Sequence, residues 1–139
     1  MNTNTHTTIK KILDYVYPGL YKINEFFDSE IGLNIISITI TPTPHKDYIL
    51  SLQTLFQQMI NDESVCVDIN GSVVSEIEKI KEDVYMCTQK VSYYKKPISL
   101  PPQNAFVRKI VHGYISNKTE FKSESVGIGR ERHIVISIK

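Results

Sequence analysis

Arg108 and His112 stand four residues apart, with Lys109 beside them. On a helix that spacing puts the guanidinium and the imidazole one turn apart on one face, with Lys109 at its edge. A guanidinium offers a planar fork of N–H donors that suits phosphate oxygens. An imidazole can stack on a base or donate a hydrogen bond. Held adjacent on a rigid element, the two can clamp a phosphate of a single strand. Lys122, Arg130 and Arg132 extend the cationic set toward the C-terminus, and Lys95 and Lys96 are secondary candidates for the same chemistry. The competing role for His112 is structural. It would tie helix to sheet by hydrogen bonds to backbone near a hairpin, leaving Arg108 as a solvated charge. Both roles can coexist, because a histidine that fixes the hairpin also positions the arginines.

The elements that must hold these groups follow from periodicity. Pro101 and Pro102 end the preceding segment and can pre-set the φ of a first helical turn. Phe106, Ile110, Val111 and Tyr114 then recur at helical spacing and predict a buried stripe. Residues 118–126 alternate as a strand, with Thr119, Phe121, Ser123 and Ser125 against Glu120, Lys122, Glu124 and Val126. Gly127-Ile128-Gly129 reads as a three-residue hairpin loop. Residues 130–138 read as the return strand, which carries Ile134, Ile136 and Ile138 under the helical stripe. Tyr93, Tyr94 and Tyr114 are aromatic groups on which a base can stack, Tyr114 being better explained as helix packing.

Upstream, Ile9, Ile12, Leu13 and Val16 predict a first helix that starts near Thr7 and ends at Pro18-Gly19. Residues 20–27 and 33–41 read as strands, the second strongly β-branched. Residues 47–60 form a helix that Asp47 can cap, and residues 65–69 a short strand. Asn70-Gly71 is a turn. Ser72 or Ser75 then caps a long helix that reaches about Tyr93.

Composition limits the function classes. The chain has 139 residues, 41% hydrophobic and 22% charged, enough for one or two small globular domains. No apolar run approaches ~18 residues, so no membrane span is expected. Residues 1–6 lack the order of a signal peptide and read as a disordered lead-in. Cys66 and Cys87 have neither metal nor redox spacing and read as buried thiols of a reducing compartment. The net charge of +1 hides a split: residues 1–71 carry four Lys/Arg and eight Asp/Glu, residues 72–139 twelve and seven. That asymmetry points the C-terminal part toward a polyanion. No Gly-rich phosphate loop, Ser/His/Asp order or metal-ligand cluster is present, and the four histidines are scattered. No catalytic residue, metal or cofactor is therefore assigned. A metal-free nuclease built on His112 would need a partnering acid that the sequence does not supply.

The stretch Pro102-Gln103-Asn104-Ala105-Phe106-Val107-Arg108-Lys109-Ile110-Val111-His112 resembles the Arg-x-x-x-His motif of the R-three-H single-stranded nucleic-acid-binding domain, in the form found in bacterial Jag-like (SpoIIIJ-associated) proteins. The ending Ser123-Glu124-Ser125-Val126-Gly127-Ile128-Gly129-Arg130-Glu131-Arg132 resembles the closing hairpin of those proteins. The order helix, strand, strand, helix, strand, long helix is similar to the KH-type region that precedes their R-three-H domain. A working KH fold places a Gly-x-x-Gly loop against nucleic-acid phosphates, where a Cβ would block the approach. Here that loop falls on Thr43-Pro44-His45-Lys46, with no glycine and a proline that removes an amide donor, and the resemblance leaves His45 and Lys46 as secondary candidates for phosphate contact. The short helix before the loop is missing as well.

The resemblance implies an α+β protein in two halves. Residues 7–71 would form a degenerate KH-like module kept as scaffold or dimerisation surface, and residues 72–139 an R-three-H domain. It implies a cytoplasmic, non-enzymatic binder of single-stranded RNA, with single-stranded DNA as the alternative ligand, acting as an RNA chaperone or regulator. A second copy or another protein could dock on the KH-like half. In the alternative reading the whole chain is a protein-interaction module, its acidic half docks the partner, and the basic face is incidental.

Overall fold

The computed structural model describes residues 3–139, with side chains from His6 onward. The chain is α+β: among the described residues, four helices and two three-stranded sheets. It divides into two compact units. The first comprises residues 1–28 and 33–75, the second residues 29–32 and 76–139. The division falls inside a helix, between Ser75 and Glu76, four residues past the 71/72 boundary expected from sequence.

The first unit contains α1 (Thr3–Val16), β1 (Tyr21–Asp28), β2 (Leu33–Ile40), α2 (Lys46–Ile60), β3 (Val65–Ile69) and the first turn of α3 (Ser72–Tyr94). Residues 3–6 are helical, which corrects the expected lead-in; Met1 and Asn2 lie outside the described residues. The sheet order is β1-β2-β3, with β1 antiparallel and β3 parallel to β2. A parallel pair needs a crossover, and α2 supplies it. The β-branched β2 sends Ile36, Ile38 and Ile40 to one face. They are buried with Ile9 and Leu13 of α1, Phe56 of α2, and Val67 and Ile69 of β3. Gln57 of α2 donates to Val65 O (2.8 Å) and accepts from Val67 N (2.9 Å), which occupies backbone groups of the edge strand β3. β2 ends at Ile40 and α2 begins at Lys46, with no helix between them.

Helix starts differ from expectation for one reason: the capping group comes from outside the helix. His45, not Asp47, caps α2, its Nδ1 accepting from Asp47 N at 3.2 Å. That nitrogen also lies 3.4 Å from the Asp47 carboxylate, an ion pair that would require it protonated. Only one contact can hold at a time, and the backbone bond is the one that satisfies an otherwise orphaned helix donor. At α3 neither Ser72 nor Ser75 is the cap. Asp68, 1% exposed, accepts from Val73 N (2.8 Å), Val74 N (3.1 Å) and Gly71 N (3.2 Å). Ser72 donates instead, to Gln53 and to Ile69 O.

The second unit holds the rest of α3, then β4 (Ile98–Ser99), α4 (Ala105–Ser116), β5 (Phe121–Val126), a 3-10 turn (Gly129–Glu131) and β6 (His133–Ile138). Its sheet runs β4-β6-β5, antiparallel throughout. The two-residue β4 was not expected, being too short for a periodic signal. Ile77, Val84 and Val91 of α3, Ile110 and Ile115 of α4, and Ile134 and Ile136 of β6 are buried. Ile138, expected beside them, is 39% exposed. Residues 29–32 belong to this unit. Lys81, 7% exposed, lies 3.3 Å from both Glu30 and Glu78, and Asn117 Nδ2 donates to Ser29 O and Glu30 O (2.6 and 2.7 Å). Gly113 lets α4 approach this segment, since a Cβ there would sit 2.4 Å from Ile31 O.

Cys66 and Cys87 are both buried. Burial pushes the Cys87 thiol up, against the opposing pull of Lys90. No described helix is long and apolar enough to cross a membrane.

Candidate nucleic-acid interface

All parts of this site belong to the second unit. α4 starts at Ala105, capped by Asn104, whose side chain accepts from Val107 N at 2.9 Å. The paired prolines lie outside the helix, so the start comes from Asn104 and not from a proline first turn. Ile110, Val111, Tyr114 and Ile115 are buried and fix the rotation of α4. That rotation leaves Arg108, Lys109 and His112 at the half-buried border of the helix.

His112 is the link between helix and hairpin. Its Nδ1 lies 2.7 Å from Ser123 Oγ and its Nε2 2.8 Å from Ser125 Oγ. A neutral imidazole meets two hydroxyls by donating to one and accepting from the other. Both ring nitrogens are therefore used inside the protein. The expected structural role is present, but through serine hydroxyls of β5 and not through backbone. Ser123 and Ser125 escaped assignment from sequence. The signal was there: they alternate with Lys122 and Glu124 and share the strand face of buried Phe121.

Two guanidiniums act on this histidine from different elements. Burial first, then Arg108 of α4, then Arg132 after the 3-10 turn, push the His112 imidazole below its ordinary range. Each arginine is steadied by backbone: Arg108 Nη1 donates to Gln103 O (2.5 Å) and Arg132 Nη1 to Gly127 O (3.0 Å). Each guanidinium has five N–H donors, so several remain for a ligand. Among the described residues, ion pairs include His6–Glu25, His45–Asp47, Lys81 with Glu30 and Glu78, and Lys122–Glu124. None of them neutralises Arg108, Lys109, Arg130 or Arg132. Arg108 and Asp83 line the same pocket of about 280 Å³, whose other walls include Ile80, Val84, Leu100 and Val107.

The other expected residues sort by face and element. Arg130 is exposed in the 3-10 turn, two residues before Arg132. The hairpin loop is longer than the expected three residues, since β6 begins at His133 and Arg132 N bonds Gly129 O (3.2 Å). Lys122 does not join the cluster. It lies on the strand face opposite Ser123 and Ser125, and its ammonium is 3.9 Å from Glu124. His45 and Lys46 are in the first unit, where His45 is committed to capping α2. Lys95 and Lys96 follow the end of α3. Tyr114 is 6% exposed and packs, with Lys118 Nζ 4.8 Å from its ring centre.

The depressed His112 value carries a stability consequence. Between that value and the model-peptide 6.5, the unfolded chain binds a proton that the folded chain does not. Stability is then full above about pH 6.5 and falls as pH drops through this window. Urea midpoints measured from about pH 7 to about pH 5 are expected to decline, and His112→Asn, with no titrating ring, to flatten the decline. An equally steep fall in the variant would show that His112 is not its source.

Residues 78–137 match the family described as the R-three-H domain. The match lies within the second unit and covers less than half of the chain. The chain is also similar to the RNA-binding protein KhpB of Bacillus subtilis, with 31% identity over 96 residues. That alignment takes in 64% of this chain and 46% of the relative, so the chain spans about half the length of the curated protein it matches.

Proposed function

We propose that this protein binds single-stranded nucleic acid, RNA in the first place, through the α4 border and the neck of the C-terminal hairpin, as an RNA chaperone or regulator and not an enzyme. The observation that carries this reading is the convergence of Arg108 and Arg132, from two elements, on one histidine, with neither guanidinium held in an ion pair among the described residues. Arg108, Lys109, Arg130 and Arg132 form the phosphate track. His112 positions it: with both ring nitrogens held by Ser123 and Ser125, it fixes the hairpin against α4 and so sets the spacing of the arginines. The similarity to a protein named as RNA-binding, and the R-three-H match over the same residues, support this choice of ligand.

The first unit fits a degenerate KH-like module serving as scaffold or dimerisation surface. Its α-β-β-α-β order supports that reading, as does a β2–α2 loop in which a helix cap and a proline replace the expected glycines.

Binding by such a track releases counterions. With about four phosphates contacted, log K against log salt is expected to slope at about −3 for single-stranded RNA. Fluorescence anisotropy of a labelled oligonucleotide at several salt concentrations measures it. A flat dependence, or no saturable binding at low salt, would overturn the proposal.

A further inference from the structure

The last turns of α3 carry an aromatic and basic surface that the arginine cluster does not use. Tyr93 and Tyr94 are 81% and 63% exposed. Their rings meet edge to face, centroids 4.9 Å apart and planes at 84°. An open groove of about 460 Å³ beside them is lined by Met86, Gln89, Lys90 and Ser92 as well as the two tyrosines. α3 stops at Tyr94, where Lys95 takes a left-handed conformation (φ 56°) and its N–H bonds Val91 O at 2.9 Å. Lys95 and Lys96 thus leave the helix directly after the tyrosines, both exposed, as is Lys90.

We infer that this groove is a second subsite for the same single strand, stacking a base on the tyrosine pair while Lys90, Lys95 and Lys96 hold the flanking phosphates. The inference rests on the single-strand-binding reading above and extends it to residues outside the R-three-H helix and hairpin. Three observations carry it. An edge-to-face pair leaves ring faces open, and any base can stack on an open face. The groove lining holds no carboxylate, and none of the ion pairs among the described residues engages these lysines, so its charge suits a polyanion. The spacing suits a strand. β4 pairs with β6 as Ile98↔Ile136, and Lys96 stands two residues before β4. Arg132 lies four residues from Ile136, about 13 Å at the rise of a strand. A strand of several nucleotides reaches both sites, whereas a duplex, whose bases are already stacked in pairs, gains nothing from the tyrosines.

The experiment compares the full chain with Tyr93→Ala/Tyr94→Ala and Tyr93→Phe/Tyr94→Phe. The probes are a single-stranded RNA of about twelve nucleotides, within the usual site-size range, and an abasic strand of the same length. The alanine pair is expected to weaken RNA binding about tenfold, the loss of roughly one stacked base. The phenylalanine pair is expected to keep wild-type affinity, and the abasic strand to bind all three proteins alike. If RNA affinity is unchanged by the alanine pair while Arg108→Ala still lowers it, the second subsite is overturned and the primary reading stands. An equal loss on the abasic strand, or no rescue by phenylalanine, also overturns stacking. If the wild-type chain binds neither strand, the primary reading has failed. A protein ligand that is lost with the tyrosines while RNA affinity holds would make the groove a protein-docking surface and overturn the inference.

Discussion

The double variant Arg108→Ala/Arg132→Ala is expected to bind single-stranded RNA about a hundredfold more weakly than the wild-type chain at fixed moderate salt. A hydrogen bond to a charged group contributes about 1.5–3 kcal/mol, and about 1.4 kcal/mol is a factor of ten in affinity. Two such contacts give a hundredfold at the lower end of that range, which is the appropriate end for partly exposed, salt-screened groups. The salt slope should flatten by about 1.4, twice the single-strand coefficient. Neither side chain is buried, and each gives up one bond to a backbone carbonyl, so the fold should survive. Arg108→Lys/Arg132→Lys keeps the charge but loses the fork, and should fall between the two. Circular dichroism checks the fold and anisotropy reads the affinity. A double variant that binds as tightly as the wild type would remove the phosphate track.

The largest loss of stability is expected from Asp68→Ala. This carboxylate is 1% exposed and accepts from three backbone N–H groups at the start of α3. Alanine leaves those donors without an acceptor at a helix N-terminus, where four N–H groups already lack intrahelical partners. Losing a cap costs about 1 kcal/mol, and each buried donor left unsatisfied about 1–3 kcal/mol. Partial hydration of the opened site brings the expected loss to about 3 kcal/mol. Asp68→Asn keeps the shape and one acceptor oxygen, so about half of that is expected. Urea unfolding of both variants at neutral pH measures the difference. A loss within 0.5 kcal/mol, the usual range for a surface change, would mean that Asp68 does not hold this helix.

The helices and main strands were legible because their apolar periods are long. The β-branched run of β2 and the stripe Ile110, Val111, Tyr114 each repeat a buried face several times. What escaped was set by single contacts from elsewhere in the chain. The cap of α3 lies in β3, five residues before Val73, and no local pattern marks it. β4 has two residues and exists only because β6 offers an edge. In the site, helical spacing puts Arg108 and His112 on one face, and the resemblance to the Arg-x-x-x-His motif is what adds the nucleic-acid role. Lys122 is close to the arginines in sequence, but the alternation of β5 turns it to the face away from His112. Ser123 and Ser125 were passed over because serine on a strand is ordinary until an imidazole is known to lie above it. The hairpin neck widened because Arg132 bonds back to Gly127, a contact that spacing does not predict.

The central claim is one of place: the nucleotide chain lies where α4 meets the hairpin. Its most direct test is amide and side-chain chemical-shift mapping of isotope-labelled protein titrated with a short single-stranded RNA. The account predicts progressive shifts at Arg108, Lys109, His112, Ser123, Ser125, Arg130 and Arg132, with Lys122 on the far face of β5 nearly still. Shifts confined to the first unit, or strongest at Lys122 and absent at Arg108 and Arg132, would contradict it.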